Sequence, residues 1–246
     1  NGGTEQHYGK AQQQYSTGDA AQKLHNYPCC LIHPHDKYPI ETGWPENPCN
    51  LSERKGKQGI GVICGYTGND APPVGGVDAD LTHPQAAREM YDFARQYLAH
   101  KDGIKLMRTG KRPKFLIPYR MAEVTNKGNT AELYPMDADG VIHEEQEHKN
   151  HVEFLGKGQQ FVAYHIHPDT GEPYQWANLC DEDGPADLHD CDPADLVELT
   201  ADDLEEIQWA FNEIAELNRL VPKPKGDKPS RQNLETAVHE NEHDDV

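Results

Sequence analysis

No run in the chain approaches the ~18 apolar residues of a membrane span, so a transmembrane protein is not expected. Nor does a charged-then-apolar amino-terminal stretch mark a secretory signal. The first residue is Asn rather than Met, as expected of a piece taken from a longer protein. A P-loop, GxGxxG or GxSxG is missing, which removes the commonest nucleotide-binding and hydrolase signatures. The six cysteines (Cys29, Cys30, Cys49, Cys64, Cys180, Cys191) lack the spacing of a disulfide framework, and 246 residues can build a core without one. A reducing, cytoplasmic setting is therefore expected. Cys180, His189 and Cys191 could be drawn together as a zinc knuckle, but no CxxC pair supports it.

Basic residues are scarce overall, and the net charge of -19 argues at first against a polyanionic ligand. The average hides a split. Between Asp181 and Glu216 there are fourteen acidic residues and no Lys or Arg. Between Lys101 and Arg120 there are seven basic residues (Lys101, Lys105, Arg108, Lys111, Arg112, Lys114, Arg120) against Asp102 alone. Local fields rather than the total steer a charged ligand, so a phosphate-rich partner stays open.

Residues 1–27 are polar and Gln-rich and read as a loose arm or edge; 28–180 carry the mixed strand and helix patterns. Residues 181–221 form an acidic segment ending in a helix, and 222–246 read as linker or tail. Gly59–Gly65 (GIGVICG) predicts a buried strand, and Val74–Asp80 (VGGVDAD) a second one ending in carboxylates. Thr82 is the expected N-cap of the next helix, with Pro84 in its first turn and Gln85 completing a capping box. Phe115–Ile117 forms a strand core. Val152–Leu155 and Gln160–Ile166 predict two strands joined by a hairpin-like turn at Gly156–Gly158. Thr200 caps a last helix that Pro222 stops. Without a regular βαβ repeat, the expected class is α+β, a sheet covered by helices.

Asp78 and Asp80 stand two apart on a strand, so both carboxylates face one side and can converge on Mg²⁺ or Mn²⁺. Exposed turn acids, or a glycosyltransferase metal site, would leave the same three letters. Glu153 could add a third carboxylate, and three crowded carboxylates repel one another unless a cation lies between them. His165 and His167 alternate with Tyr164 and Ile166, which puts both imidazoles on one strand face. Tyr174 and Trp176 are more often core than base-stacking platforms. The segment Arg108–Lys114 could clamp a triphosphate or a template backbone.

In order and spacing these pieces resemble the archaeo-eukaryotic primase superfamily, above all the primase–polymerase domains of phage and plasmid replication proteins. The matching text is Lys37-Tyr38-Pro39 to Trp44, GIGVICG, VGGVDADL, RTGKRPKFLIPYR and VEFLGKGQQFVAYHIHPDTGEPYQW, spanning about residues 31–176. The resemblance implies an RRM-like catalytic sheet packed with a smaller α/β subdomain, and two-metal nucleotidyl transfer on a single-stranded DNA template with NTP or dNTP. Asp78, Asp80 and Glu153 would hold Mg²⁺ or Mn²⁺. Arg108, Lys111, Arg112, Lys114, His165 and His167 would contact nucleotide or template. The chain departs from the family pattern at Lys114, where a phosphate-contacting His is usual, and at Glu153, where Asp is more usual. A helicase domain or other replication partner is implied carboxy-terminal to this part. Two other classes compete. His165-Ile166-His167 would also suit a rolling-circle nicking or relaxase domain, and a non-catalytic nucleic-acid-binding module would need no metal at all.

Overall fold

The computed structural model describes residue 24 and residues 26–223. In chain order the strands and helices begin with β1 (Cys29–Ile32), β2 (Gly59–Ile63), β3 (Val74–Asp80), α1 (Pro84–Ala99), β4 (Leu106–Thr109) and β5 (Phe115–Met121). Short β6 (Gly128–Asn129) and β7 (Leu133–Pro135) precede β8 (His151–Leu155), β9 (Gln160–Tyr164) and β10 (Gln175–Asn178). The last are β11 (Glu198–Leu199), α2 (Ala201–Leu217) and β12 (Leu220–Pro222). The architecture is α+β, and no helix among the described residues is long and apolar enough to cross a membrane.

The larger sheet has the order β10-β4-β5-β3-β8-β6, all antiparallel, with β11 added in parallel beside β5. A second sheet of β1-β2-β9 and a two-stranded pair β7-β12 complete the fold. Alternation along β3 sorts its two faces. Val77 meets α1 through Met90, Ala94 and Leu98, and α2 through Ile207, with Phe115 and Ile117 alongside. Asp78 and Asp80 face the other way. Each helix therefore covers the side of the sheet opposite the carboxylates.

Both helices are built on apolar stripes. In α1 the buried residues Ala86, Ala87, Met90, Ala94 and Leu98 recur at helical spacing. In α2 the stripe is Ile207, Ala210, Phe211, Ile214 and Ala215, and full burial of Phe211 alone is worth roughly 2–3 kcal/mol. The α1 cap differs from expectation. His83 is the N-cap, its Nδ1 accepting from the Ala86 amide at 3.2 Å. Thr82 is engaged elsewhere, because its amide donates to Asn150 Oδ1 at 2.8 Å and its hydroxyl donates to the Lys149 carbonyl at 3.3 Å. Gln85 instead donates to Glu89 at 2.7 Å.

Three further expectations are corrected. β8 and β9 are not a hairpin: β8 pairs with β3 and β6, whereas β9 pairs with β2, so the turn at 156–158 carries the chain from one sheet to the other. β9 ends at Tyr164, and Ile166 makes only an isolated bridge to Pro173. α2 ends at Leu217 because Asn218 caps it and Arg219 turns with φ of 55°; Pro222 closes the following strand instead. At the amino end, Leu24 and Tyr27 are buried in the main core, so the arm expected over 1–27 is anchored at its end. Its remainder, residues 1–23 and 25, and the tail from 224 onward lie outside the described residues. The acidic segment shares the same core through Leu196, Val197, Leu199 and Phe211.

Candidate active site

Strand register assembles the acidic row. Asp78 stands directly opposite Glu153 on β8, and Asp80 opposite His151. Facing residues of paired strands project to the same side. On the other flank of β3, Asp78 pairs with Leu116 of β5, which in turn pairs with Arg108 of β4. The basic segment is the turn between β4 and β5, closed by the Lys114 amide donating to the Lys111 carbonyl at 3.1 Å. Its cations are thereby brought beside the carboxylates of β3.

A cavity of about 110 Å³ opens at this place. Asp78 and Asp80 line it together with four cations: Lys37, Arg108, Lys111 and Lys114. His167, Asp169, Tyr174 and Gly110 complete the wall. Lys37 arrives from the loop after β1, whose hold is the Gln160 side chain donating to the Lys37 carbonyl at 2.9 Å. The 165–174 loop returns on itself through His167 N to the Glu172 carbonyl, 2.8 Å, and brings His167 and Tyr174 to the same wall.

Arg108 is 8% exposed and stacks on the Tyr174 ring, its guanidinium carbon 4.6 Å from the ring centre. One of its terminal nitrogens donates to the Val162 carbonyl, while its Nε is buried without a hydrogen-bond partner. Burial lowers its pKa, opposed by the attraction of Asp78. Burial likewise raises the pKa of Asp78, and the charges of Asp80 and Glu153 push the same way, against Arg108. Asp80 is in contact with the Lys114 ammonium. Lys111 pairs with Asp169 at 2.9 Å across the mouth.

Glu153 has its own partners. Lys127 Nζ lies 2.9 Å from its Oε1 and His151 Nε2 lies 3.6 Å away. The bond from His151, reinforced by Lys127, outweighs burial and holds the Glu153 carboxyl down at about 2. Burial, then the nearby positive charge of Lys37, pushes His167 down to about 4, so its imidazole is neutral at pH 7. The Asp169 amide donates to His167 Nδ1 at 3.2 Å, which leaves the ring proton on Nε2.

The cavity thus gathers Asp78, Asp80, Arg108, Lys111, Lys114 and His167 from the expected residues. His165 is not on its wall; its Nε2 sits 2.9 Å from the His33 carbonyl. Arg112 is exposed on the β4–β5 turn, also off the wall. Trp176 is core, its indole donating to the Ala163 carbonyl at 3.0 Å. Lys37, Asp169 and Tyr174 were not singled out as ligand contacts by sequence. Their approach to the carboxylates is purely tertiary, although all three lie in segments that carry the family resemblance.

The donor chemistry of Asp78 and Asp80, hard oxygens two apart on one strand face, fits a divalent cation. A three-carboxylate set is not preformed: among the described residues no group of three or more His, Cys, Asp or Glu is arranged to hold a metal. Glu153 is close by register but turned to Lys127 and His151. The zinc knuckle is not gathered either. Cys180 Sγ donates to the Arg95 carbonyl, Cys191 Sγ to the Leu188 carbonyl, and His189 Nδ1 lies 2.8 Å from Asp187.

The wall also depends on Gly110. A Cβ there would press into the Tyr174 ring and come within 2.7 Å of His167 Cδ2. Both rings are buried, so neither can swing away. Gly110→Ala is expected to cost about 1–3 kcal/mol in denaturant unfolding and to displace Tyr174 from Arg108. Comparison of the chain with protein-family models and with curated proteins found no match.

Proposed function

We propose that the protein is a metal-dependent nucleotidyltransferase, a primase–polymerase domain that makes or extends primers on single-stranded DNA in the cytoplasm of a phage- or plasmid-bearing cell. The observation that carries this reading is the mixed-charge cavity, where two carboxylates on one strand face are ringed by Lys37, Arg108, Lys111 and Lys114. A purely cationic pocket would suit phosphate alone, and a purely acidic one metal alone. Their juxtaposition suits a metal-bound triphosphate. Strand order adds support: β3, β4, β5 and β8, taken as first to fourth, lie in the order 2-3-1-4 with α1 between first and second. That is the order of an RRM-like sheet, with α2 on the face where its second helix would pack.

Asp78 and Asp80 would hold Mg²⁺ or Mn²⁺, with Glu153 able to join on release from Lys127. Such ions lower the pKa of an attacking 3′-hydroxyl and neutralise the charge of a triphosphate. Arg108, Lys111 and Lys37 would bind phosphate oxygens. His167 would donate from Nε2 as a neutral group, so its contribution holds from neutral pH down to about pH 4, where the ring gains charge. Burial of Arg108 and Tyr174 excludes water from the inner wall.

Primed and unprimed single-stranded templates, incubated with NTP or dNTP and Mn²⁺, provide the test. Wild type should synthesise or extend primers, and the double variant Asp78→Ala, Asp80→Ala should not, while its circular dichroism is unchanged. Undiminished synthesis by the double variant would overturn the proposal.

A further inference from the structure

Lys114 and Asp80 both line the cavity, and the ammonium of one rests against the carboxylate of the other. The ion pair thus occupies the place of a cation on half of the Asp78–Asp80 pair. Among the described residues Asp78 makes no such ion pair; the charge of the buried Arg108, with a smaller share from Lys37, compensates it. A second observation marks the cavity as made for an anion as well. Arg108, on the wall and more than nine-tenths buried, keeps its Nε without a hydrogen-bond partner. Carboxylates for a cation and cations for an anion therefore line one cavity, where Lys114 is paired with Asp80.

From this geometry we infer that Lys114 exchanges partners, so that the site takes a divalent cation and a polyphosphate as a pair rather than either alone. A dication arriving at Asp80 must displace the Lys114 ammonium, which then needs a new anion within its reach. The lysine stem is long and the residue is about one-third exposed, so the head group can swing without rebuilding the turn. Phosphate oxygens drawn in by Arg108, Lys37 and Lys111 provide that anion. Without a polyphosphate, the displaced ammonium and the dication repel each other, which makes free metal a poor ligand. This inference rests on the nucleotidyltransferase reading and specifies the order of events at its centre.

The test is Lys114→Met, with Lys111→Met as a control that removes the same charge from the same cavity without touching Asp80. Lys114→Gln repeats the measurement if the methionine variant melts abnormally. Mn²⁺ alone, followed by electron paramagnetic resonance of the free ion, should bind the Lys114 variant about tenfold more tightly than wild type, and Lys111→Met within about twofold of it. Inorganic tripolyphosphate, followed by calorimetry, should lose about tenfold in affinity for the Lys114 variant in saturating Mn²⁺, yet change little in EDTA, where Lys114 is already committed to Asp80. If Mn²⁺ binds the Lys114 variant no more tightly than Lys111→Met, or the tripolyphosphate loss is the same with and without metal, partner exchange is wrong while the functional reading survives. If neither wild type nor the Lys114 variant takes up Mn²⁺, with or without tripolyphosphate, both fall together.

Discussion

Under the proposed nucleotidyltransferase function, Asp78→Asn is expected to reduce nucleotide incorporation by on the order of 1000-fold, and to leave the fold as stable as wild type or more so. The loss follows from removing one of the two β3 carboxylates that line the cavity. The stability effect follows from burial, which disfavours the ionised Asp78 more than Arg108 favours it. Because the folded-state pKa lies above the unfolded value, the protonated side chain is the one the fold prefers. The stability it contributes is complete below the unfolded pKa of about 4 and is lost as pH rises through the folded value. Asparagine copies the neutral form at every pH. The variant's advantage in melting temperature should therefore vanish near pH 3 and grow toward pH 7. Added Mn²⁺ with nucleotide should raise the melting temperature of wild type and not of the variant. A variant that melts well below wild type at pH 7 would show that the Arg108 charge dominates instead.

Asp203→Asn should cost about 2–3 kcal/mol at pH 7 in denaturant unfolding. Asp203 closes the capping box of α2, its Oδ2 accepting from the Thr200 amide and hydroxyl, each at 2.9 Å. Its Oδ1 accepts from the Tyr97 hydroxyl at 2.6 Å and pairs with Lys101 Nζ, also at 2.6 Å. One carboxylate thus starts one helix and fastens it to the end of the other. Asparagine keeps a single acceptor and presents an amide hydrogen to donors. Burial works to raise the Asp203 pKa, but Lys101, Thr200 and Tyr97 prevail and hold it at about 2. A depressed carboxylate stabilises above its unfolded pKa and loses that contribution as pH falls through the folded one. The difference between wild type and variant should therefore be full above about pH 5 and shrink toward pH 2. Asp203 does not line the cavity, so under the proposed function the KM for nucleotide should be unchanged wherever the variant is folded.

The success and failure of sequence reading divide by range of interaction. Asp78 and Asp80 share a face because side chains alternate along any strand, and the span Val74–Asp80 is legible from its β-branched and glycine text. The Thr200 cap of α2 is legible for the same reason, since the box with Asp203 closes within four residues. The α1 cap falls on His83 rather than Thr82 although the choice is equally local. Thr82 and His83 are neighbours, and Asn150 and Lys149, nearly seventy residues away, decide which of them is left to cap. The turn at 156–158 has hairpin text, yet β2 and β3 each draw off one of its strands.

Features of short period are legible in the text alone: the carboxylate pair and the apolar stripes of both helices, beside the density of positive charge around 101–120. The pair and the stripes depend on spacings of two to four residues, which backbone geometry alone imposes, and the charge density is composition. Tertiary structure alone decided which charges meet. Lys37 joins a wall more than forty residues downstream, Lys114 rests on Asp80, and Glu153 turns to Lys127 and His151 despite standing opposite Asp78. Electrostatic partnership depends on distance in space and on local burial, and neither is encoded at any fixed separation along the chain.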